Sequence, residues 1–237
     1  MHIRLVQQLR EVRQLCSTVF VSLNYDIIID NVIGQASIQV GEHRIPDYAV
    51  TFTPPPHRGG TPFPRASLLL KLHGSLNWLF CPRCNSLSLF PHHKVAADLP
   101  GGPWRFRCQA CHGLQVSIII PPTFYKVMSN FYLQQIWKRA EGELMKADRI
   151  VFCGYSFPDA DMHVKYLLKR AEVNRAGGPP GVFIINEPQD KKPTDREAEQ
   201  ARYMRFFRDK GRVHWTRLSF EQFAANPQAI EDQSQWL

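Results

Sequence analysis

"RIVFCGYSFPDADMHVKYLLKRAEVNR", residues 149–175, packs a strand, a turn and a helix into one run, and its reading decides the fold. "RIVFC" is short, apolar and rich in β-branched and aromatic side chains, with no polar alternation, which marks a buried strand. It ends in a glycine and small polar residues. Val164, Leu167, Leu168 and Ala171 then recur at helical spacing, with Asp159 or Asp161 placed to cap the first turn. The same grammar appears upstream, where "TVFVSLNYDIIIDNVIG" reads as a strand ending near Ser22 and a helix stopping at Gly34. Downstream, "VFIIN" ends at Asn186, a charged helix follows around 195–209, and "RVHWTRLSF" holds another strand. Nearly all-apolar strands alternating with helices define an α/β class, a parallel Rossmann-like sheet with helices on both faces.

A second pattern interrupts this alternation. "SLLLKLHG", residues 67–74, is a strand running into His73 and Gly74, and Cys81-x2-Cys84 follows at once. After 23 intervening residues comes Cys108-x2-Cys111. Two such pairs offer four thiolates from two tight turns, the donor set of tetrahedral zinc. Four sulfurs leave no coordination place for water or substrate, so the metal expected at Cys81, Cys84, Cys108 and Cys111 is structural. The alternative is unmetallated core or disulfide cysteines. His92, His93 and His112 lie nearby and are read as surface residues; Cys16 and Cys153, in apolar surroundings, are read as core thiols. The organisation expected is a single domain over 1–237, with a Rossmann-like core from 1–34 and 114–237 and a small inserted zinc and loop lobe at 35–113.

Composition limits the function. The chain has 237 residues, 44% hydrophobic and 21% charged, in the range of an ordinary globular protein. A net charge of +8 favours anionic partners without choosing among them. The N-terminus, "MHIRLVQQLREVRQL", carries arginines throughout and does not read as a signal peptide. No run approaches the roughly 18 apolar residues that cross a bilayer. A cytoplasmic location and no membrane role are expected.

Ligands of parallel sheets bind outside the carboxyl ends of the strands. Four strand ends here are polar: Ser22, Asn24 and Asp26; His73 with Gly74; Gly154, Tyr155 and Ser156; and Asn186. Each alone also reads as a turn, a helix cap or a structural histidine. Four in one chain say more than one.

Taken in order, these pieces resemble the sirtuin-like (silent information regulator) family. That family has a T-x-N-x-D strand end, a histidine followed by glycine, a four-cysteine zinc lobe, a G-[TY]-S turn and a strand ending in Asn. The resemblance covers roughly residues 18–190, and "ADRIVFCGYSFPDADMHVKYLL" is similar to the bacterial branch of NAD-depleting defence domains. It implies an enzyme that binds NAD and cleaves its nicotinamide–ribose bond. His73 would be the base on a ribose hydroxyl and Asn24 would position the ribose or the attacking water. The cofactor-binding set would be Ser22, Asn24, Asp26, Gly154, Tyr155, Ser156 and Asn186, and zinc would stay structural.

Two departures refine this. The family's glycine-rich first turn is absent, since no G-x-G occurs anywhere. The expectation is either a fragment completed by a missing N-terminal segment, a partner domain or a homo-oligomer, or impaired NAD binding. It also predicts an exposed sheet edge, or a displaced segment filling the gap. The F-G-E segment that pairs with acylated peptide in the family's deacylases is replaced by "HGLQVSIIIPPTFYK". Water therefore becomes the expected acceptor, with NAD-dependent protein lysine deacylation as the alternative. From another class, a non-catalytic zinc-bearing module for nucleic acid or protein remains. Its basic stretches, "KYLLKRAEVNR" and "RYMRFFRDKGR", are read as solvated helix faces, which ranks nucleic acid as an unlikely partner.

Overall fold

In a computed structural model, the apolar runs form strands and the amphipathic runs form helices. The residues described are 1–38, 45–53, 67–98, 106–120, 130–186, 192–207, 210–232, 234 and 236. They group into two compact units, a terminal unit drawn from Met1–Arg13 and Glu141–Leu237 and a cysteine unit drawn from Gln14–Pro121 and Tyr125–Ala140.

In the cysteine unit, β1 (Phe20–Ser22) pairs in parallel with β2 (Leu69–Lys71), with Ser22 opposite Lys71. Helix α2 (Ile28–Ile38) lies between them in the chain and runs past Gly34. Immediately after β2 the chain turns through Leu72 and His73 into β3 (Gly74–Phe80). β3 is the centre of an antiparallel sheet in the order β4-β3-β5, with β4 at Leu87–Leu89 and β5 at Val116–Ile119. β5 thus pairs with the strand that leads into the first cysteine turn rather than in a parallel ladder. A single turn of helix, α3 (Val95–Asp98), packs on β3.

Helix α1 (His2–Glu11) buries Leu5, Val6 and Leu9 in the terminal unit. Helix α4 (Phe131–Lys146) buries Leu133, Ile136 and Ala140 and leaves Phe131 exposed. Next, β6 (Arg149–Cys153), α5 (Met162–Asn174), β7 (Gly181–Ile185), α6 (Pro193–Phe207) and β8 (Val213–Trp215) form two consecutive parallel βαβ units. The buried face of α5 is Val164, Leu167, Leu168 and Ala171, as its spacing requires. Its N-cap position is Asp161. Central β7 is buried from Val182 to Ile185. β6 pairs with β7 alone among the described residues, and both its ends are exposed. Helix α7 (Phe220–Ala225) starts in a reciprocal Ser219–Gln222 capping box and packs against α1.

Both lone cysteines depart from the core reading: Cys16 lies in a short exposed turn of 3-10 helix and Cys153 ends the edge strand β6, and each is exposed. Among the described residues, no helix is long and apolar enough to cross a membrane.

Candidate functional site

The four cysteines converge. Their Sγ atoms all lie within 4.8 Å of one another, with Cys81–Cys111 and Cys84–Cys108 each at 3.5 Å. A zinc ion at about 2.3 Å from each thiolate sets tetrahedral edges of about 3.8 Å, so the residues fit that metal. Two copies of one backbone turn produce the cluster. In the first, the Asn85 amide donates to the Cys81 carbonyl at 2.8 Å and the Cys81 amide to the Ser86 carbonyl at 2.9 Å. In the second, His112 donates to Cys108 and Cys108 to Gly113, both at 2.8 Å. Asn85 and His112 take the same left-handed conformation, with φ of 59° and 57°. His112 therefore serves the turn, and with His92 and His93 it is exposed.

The Ser86 hydroxyl sits 3.2 Å from the Cys84 sulfur and 3.1 Å from that of Cys108. The bond from Ser86 lowers the Cys84 thiol. For Cys108, burial raises the pKa, but Ser86 and the amides of Cys111 and Ala110 outweigh it and bring the thiol down to about 6. Cys111 is pushed up to about 12: the Gly113 amide pulls it down, but burial and three neighbouring sulfurs prevail. Four thiols this close cannot all ionise without a cation among them, which is the electrostatic case for a metal.

His73 is built into the same unit. Its Nδ1 lies 2.8 Å from the Leu23 carbonyl, which can only accept, so Nδ1 carries the proton and Nε2 is the basic nitrogen of the neutral ring. The peptide around it is fixed from three sides. Ser22 accepts from the Leu72 amide at 3.1 Å, Trp137 donates to the Leu72 carbonyl at 2.8 Å, and the Ile120 amide donates to the His73 carbonyl at 3.0 Å. Gly74 is obligatory because its φ is +82° and a Cβ would sit 1.8 Å from the Ile118 carbonyl oxygen.

Along the adjoining loop, the Ser22 hydroxyl bonds the Asn24 amide and carbonyl, Asn24 is exposed, and Asp26 accepts from the Ile28 amide at 2.9 Å to start α2. Beneath this loop lies a group that the sequence reading missed. Lys71, fully buried, donates to the Asp26 carbonyl and to Asp30 at 3.1 Å, while the Tyr48 hydroxyl donates to the other Asp30 oxygen at 2.6 Å. Burial first, and then Asp30, push the Tyr48 phenol well above its usual range. A lysine inside "LLLKLHG" and an aspartate inside "IIIDNVI" were the available signals.

Gly154, Tyr155, Ser156 and Asn186 are gathered in the terminal unit. Gly154, at φ +64°, donates to the Ile185 carbonyl at 3.1 Å. The Tyr155 hydroxyl donates to Asp161 at 2.9 Å, and burial and that carboxylate raise its pKa, so it is a fixed donor. The Tyr155 carbonyl accepts from Tyr203 at 2.6 Å and from the Asn186 amide at 3.4 Å. That amide also donates to buried Glu199. Ser156 is exposed, and its carbonyl takes two bonds from Arg202, at 3.0 and 2.9 Å. Glu199 and Arg202 come from a helix that read only as charged, and nothing in its pattern singled them out.

Parallel βαβ units, polar strand ends and a four-thiol centre define the class. Residues 18–211 match the family model of the SIR2-like domain, and the chain belongs to that family. No curated protein matches it. Among solved structures, a sirtuin studied for the basis of its substrate affinity aligns over 98% of this chain and 71% of its own, at 14% identity and TM-score 0.47. A Sir2–p53 peptide–NAD+ complex aligns over 98% and 69%, at 14% and 0.47. A Sir2 homologue in complex with NAD aligns over 87% and 64%, at 16% and 0.44.

Proposed function

We propose that the chain binds NAD and cleaves its nicotinamide–ribose bond with water as acceptor, in the manner of an NAD hydrolase. The observation that supports this most is His73: in a SIR2-like chain, its Nδ1 proton is held by the Leu23 carbonyl at 2.8 Å, which makes Nε2 the basic nitrogen and ties the ring to the loop that carries exposed Asn24. Asn24 holds the ribose or the incoming water, and Asp26 lies on the nicotinamide side. Ser22 holds the Asn24 loop, and Gly154, Tyr155, Ser156 and Asn186 are the NAD-binding positions that the family resemblance implies in the terminal unit. As the carbon–nitrogen bond breaks, nicotinamide leaves with the bonding pair, water oxygen takes its place on the ribose carbon, and one proton is released to His73 Nε2. Polar groups aimed at the positive charge that builds on the sugar supply rate. Cys81, Cys84, Cys108 and Cys111 hold zinc, whose contribution is to the fold of the turns.

Water is favoured as acceptor because "HGLQVSIII" stands where the family's deacylases carry the peptide-pairing segment. The test is nicotinamide release from NAD by the purified chain, with and without an acetyl-lysine peptide. Release without peptide, reduced about 10²- to 10⁴-fold in His73→Ala, is expected. Release that requires the peptide assigns deacylation instead, and full turnover in a folded His73→Ala protein removes His73 from the mechanism. No release in either arm overturns the enzymatic reading.

A further inference from the structure

Two basic stretches that sequence alone reads as separate solvated faces come together in the terminal unit. Lys165 and Lys169, one turn apart on α5, and Arg202 and Arg205, one turn apart on α6, line an open groove of about 300 Å3 with Phe206. Lys165 is nearly buried, its side chain 12% exposed, with its ammonium 5.0 Å from the Phe157 ring centre. Lys169 lies 5.4 Å from the centre of the half-buried Phe206 ring. Among the described residues, two carboxylates offset these four cations. Asp159, itself 65% exposed, meets Lys165 at 2.8 Å and Arg205 at 3.1 Å; Glu172 meets Lys169 at 2.8 Å and also pairs with Arg212. The groove keeps a positive excess beside an aromatic face.

We infer that this groove binds a phosphate-bearing ligand of nucleotide size, its phosphates on Lys165, Lys169, Arg202 and Arg205 and its base on Phe206. The groove volume lies at the lower end of small-molecule sites. Arginine forks and lysine point charges are the groups that hold phosphate oxygens, and an aromatic ring gives a base a stacking surface. The bounded length of the groove favours a free nucleotide over a nucleic-acid strand, which needs an extended basic track.

Calorimetric titration of the purified chain with ATP, with inorganic pyrophosphate and with a single-stranded oligonucleotide tests this without reference to NAD cleavage. ATP is expected to bind more tightly than pyrophosphate, both weakening as salt is raised. Lys169→Gln combined with Arg205→Gln changes two exposed positions without setting a like charge against Glu172 or Asp159, and leaves Arg202 on Ser156. It is expected to weaken both ligands at least about tenfold, with circular dichroism and thermal unfolding unchanged. Phe206→Ala is expected to remove the preference for ATP and spare pyrophosphate. Affinity unchanged in the double variant, no binding at low salt, or binding of the oligonucleotide alone each overturns the proposal.

Discussion

The two compact units use different interiors to hold their polar loops. Of eleven buried polar or charged residues among those described, eight belong to the cysteine unit: Asp30, Lys71, His73, Ser75, Asn77, Ser86, Ser88 and Gln115. Its loops are pinned by charges and sulfur, through Lys71 to Asp30 and Asp26, Tyr48 to Asp30, and Ser86 to two cysteines. The terminal unit holds its Gly154–Ser156 turn with rings. Phe157, fully buried, stacks on Tyr203 at 4.5 Å and meets Phe152, Tyr155, Phe206 and Phe207 within 6.0 Å, and Tyr203 in turn bonds the Tyr155 carbonyl. Electrostatic fixation costs desolvation and fails sharply when one partner is lost. Aromatic packing is divided over many contacts and fails gradually.

The sharpest test of this contrast is the metal. Cys84→Ser is expected to abolish tight zinc binding and to remove a stabilisation that for structural zinc sites is on the order of 10 kcal/mol, read as metal content and as the unfolding midpoint with and without chelator. A stable, metal-free Cys84→Ser protein would detach the cysteine turns from the fold. Next comes Lys71→Met, which leaves buried Asp30 with Tyr48 as its remaining side-chain partner among the described residues. A loss of about 3–5 kcal/mol is expected in denaturant unfolding, with part recovered when Asp30→Asn is added. If the single variant loses no stability, the buried pair is not what anchors the loop. In the terminal unit, Phe157→Leu keeps an apolar side chain and gives up the stack on Tyr203, for about 1.5 kcal/mol. A loss as large as that of Lys71→Met would erase the distinction between the two interiors.

These differences also explain what could be read in advance. The helix face of α5 and the strand β7 follow from periodicity and apolar runs, which depend on nearest neighbours in the chain. The four-thiol centre follows from spacing, because C-x-x-C is itself a turn geometry. The antiparallel pairing of β5 with β3 was not legible, since "VSIII" looks the same in either kind of sheet and a prolines-bounded run carries no sign of its partner. Nor was the exposure of Cys153, because an edge strand and a central strand differ in neighbours rather than in composition. His73 and Gly74 stood out as a strand end, yet the atoms that fix them, the Leu23 carbonyl, Trp137 and the Ile118 carbonyl, come from segments up to 65 residues away. The groove of Lys165, Lys169, Arg202 and Arg205 needed two helices to be set side by side.

The smallest expected effect separates the units by pH. His214, on β8, stacks against Trp236 at 3.9 Å and meets the Phe183 ring at a tilt at 4.9 Å, and burial lowers its pKa below the usual 6.5. The folded state therefore favours the neutral ring. Above pH 6.5 this preference contributes fully; as pH falls below 6.5 the unfolded chain takes up the proton first, and the contribution is lost through the folded pKa. Below that point both states are protonated and the slope ends. His214→Phe keeps a ring on Trp236 and removes the proton. Its unfolding free energy is expected to decline less than that of the native chain across this acid window. Equal declines would mean that the ring network of the terminal unit carries no titrating element.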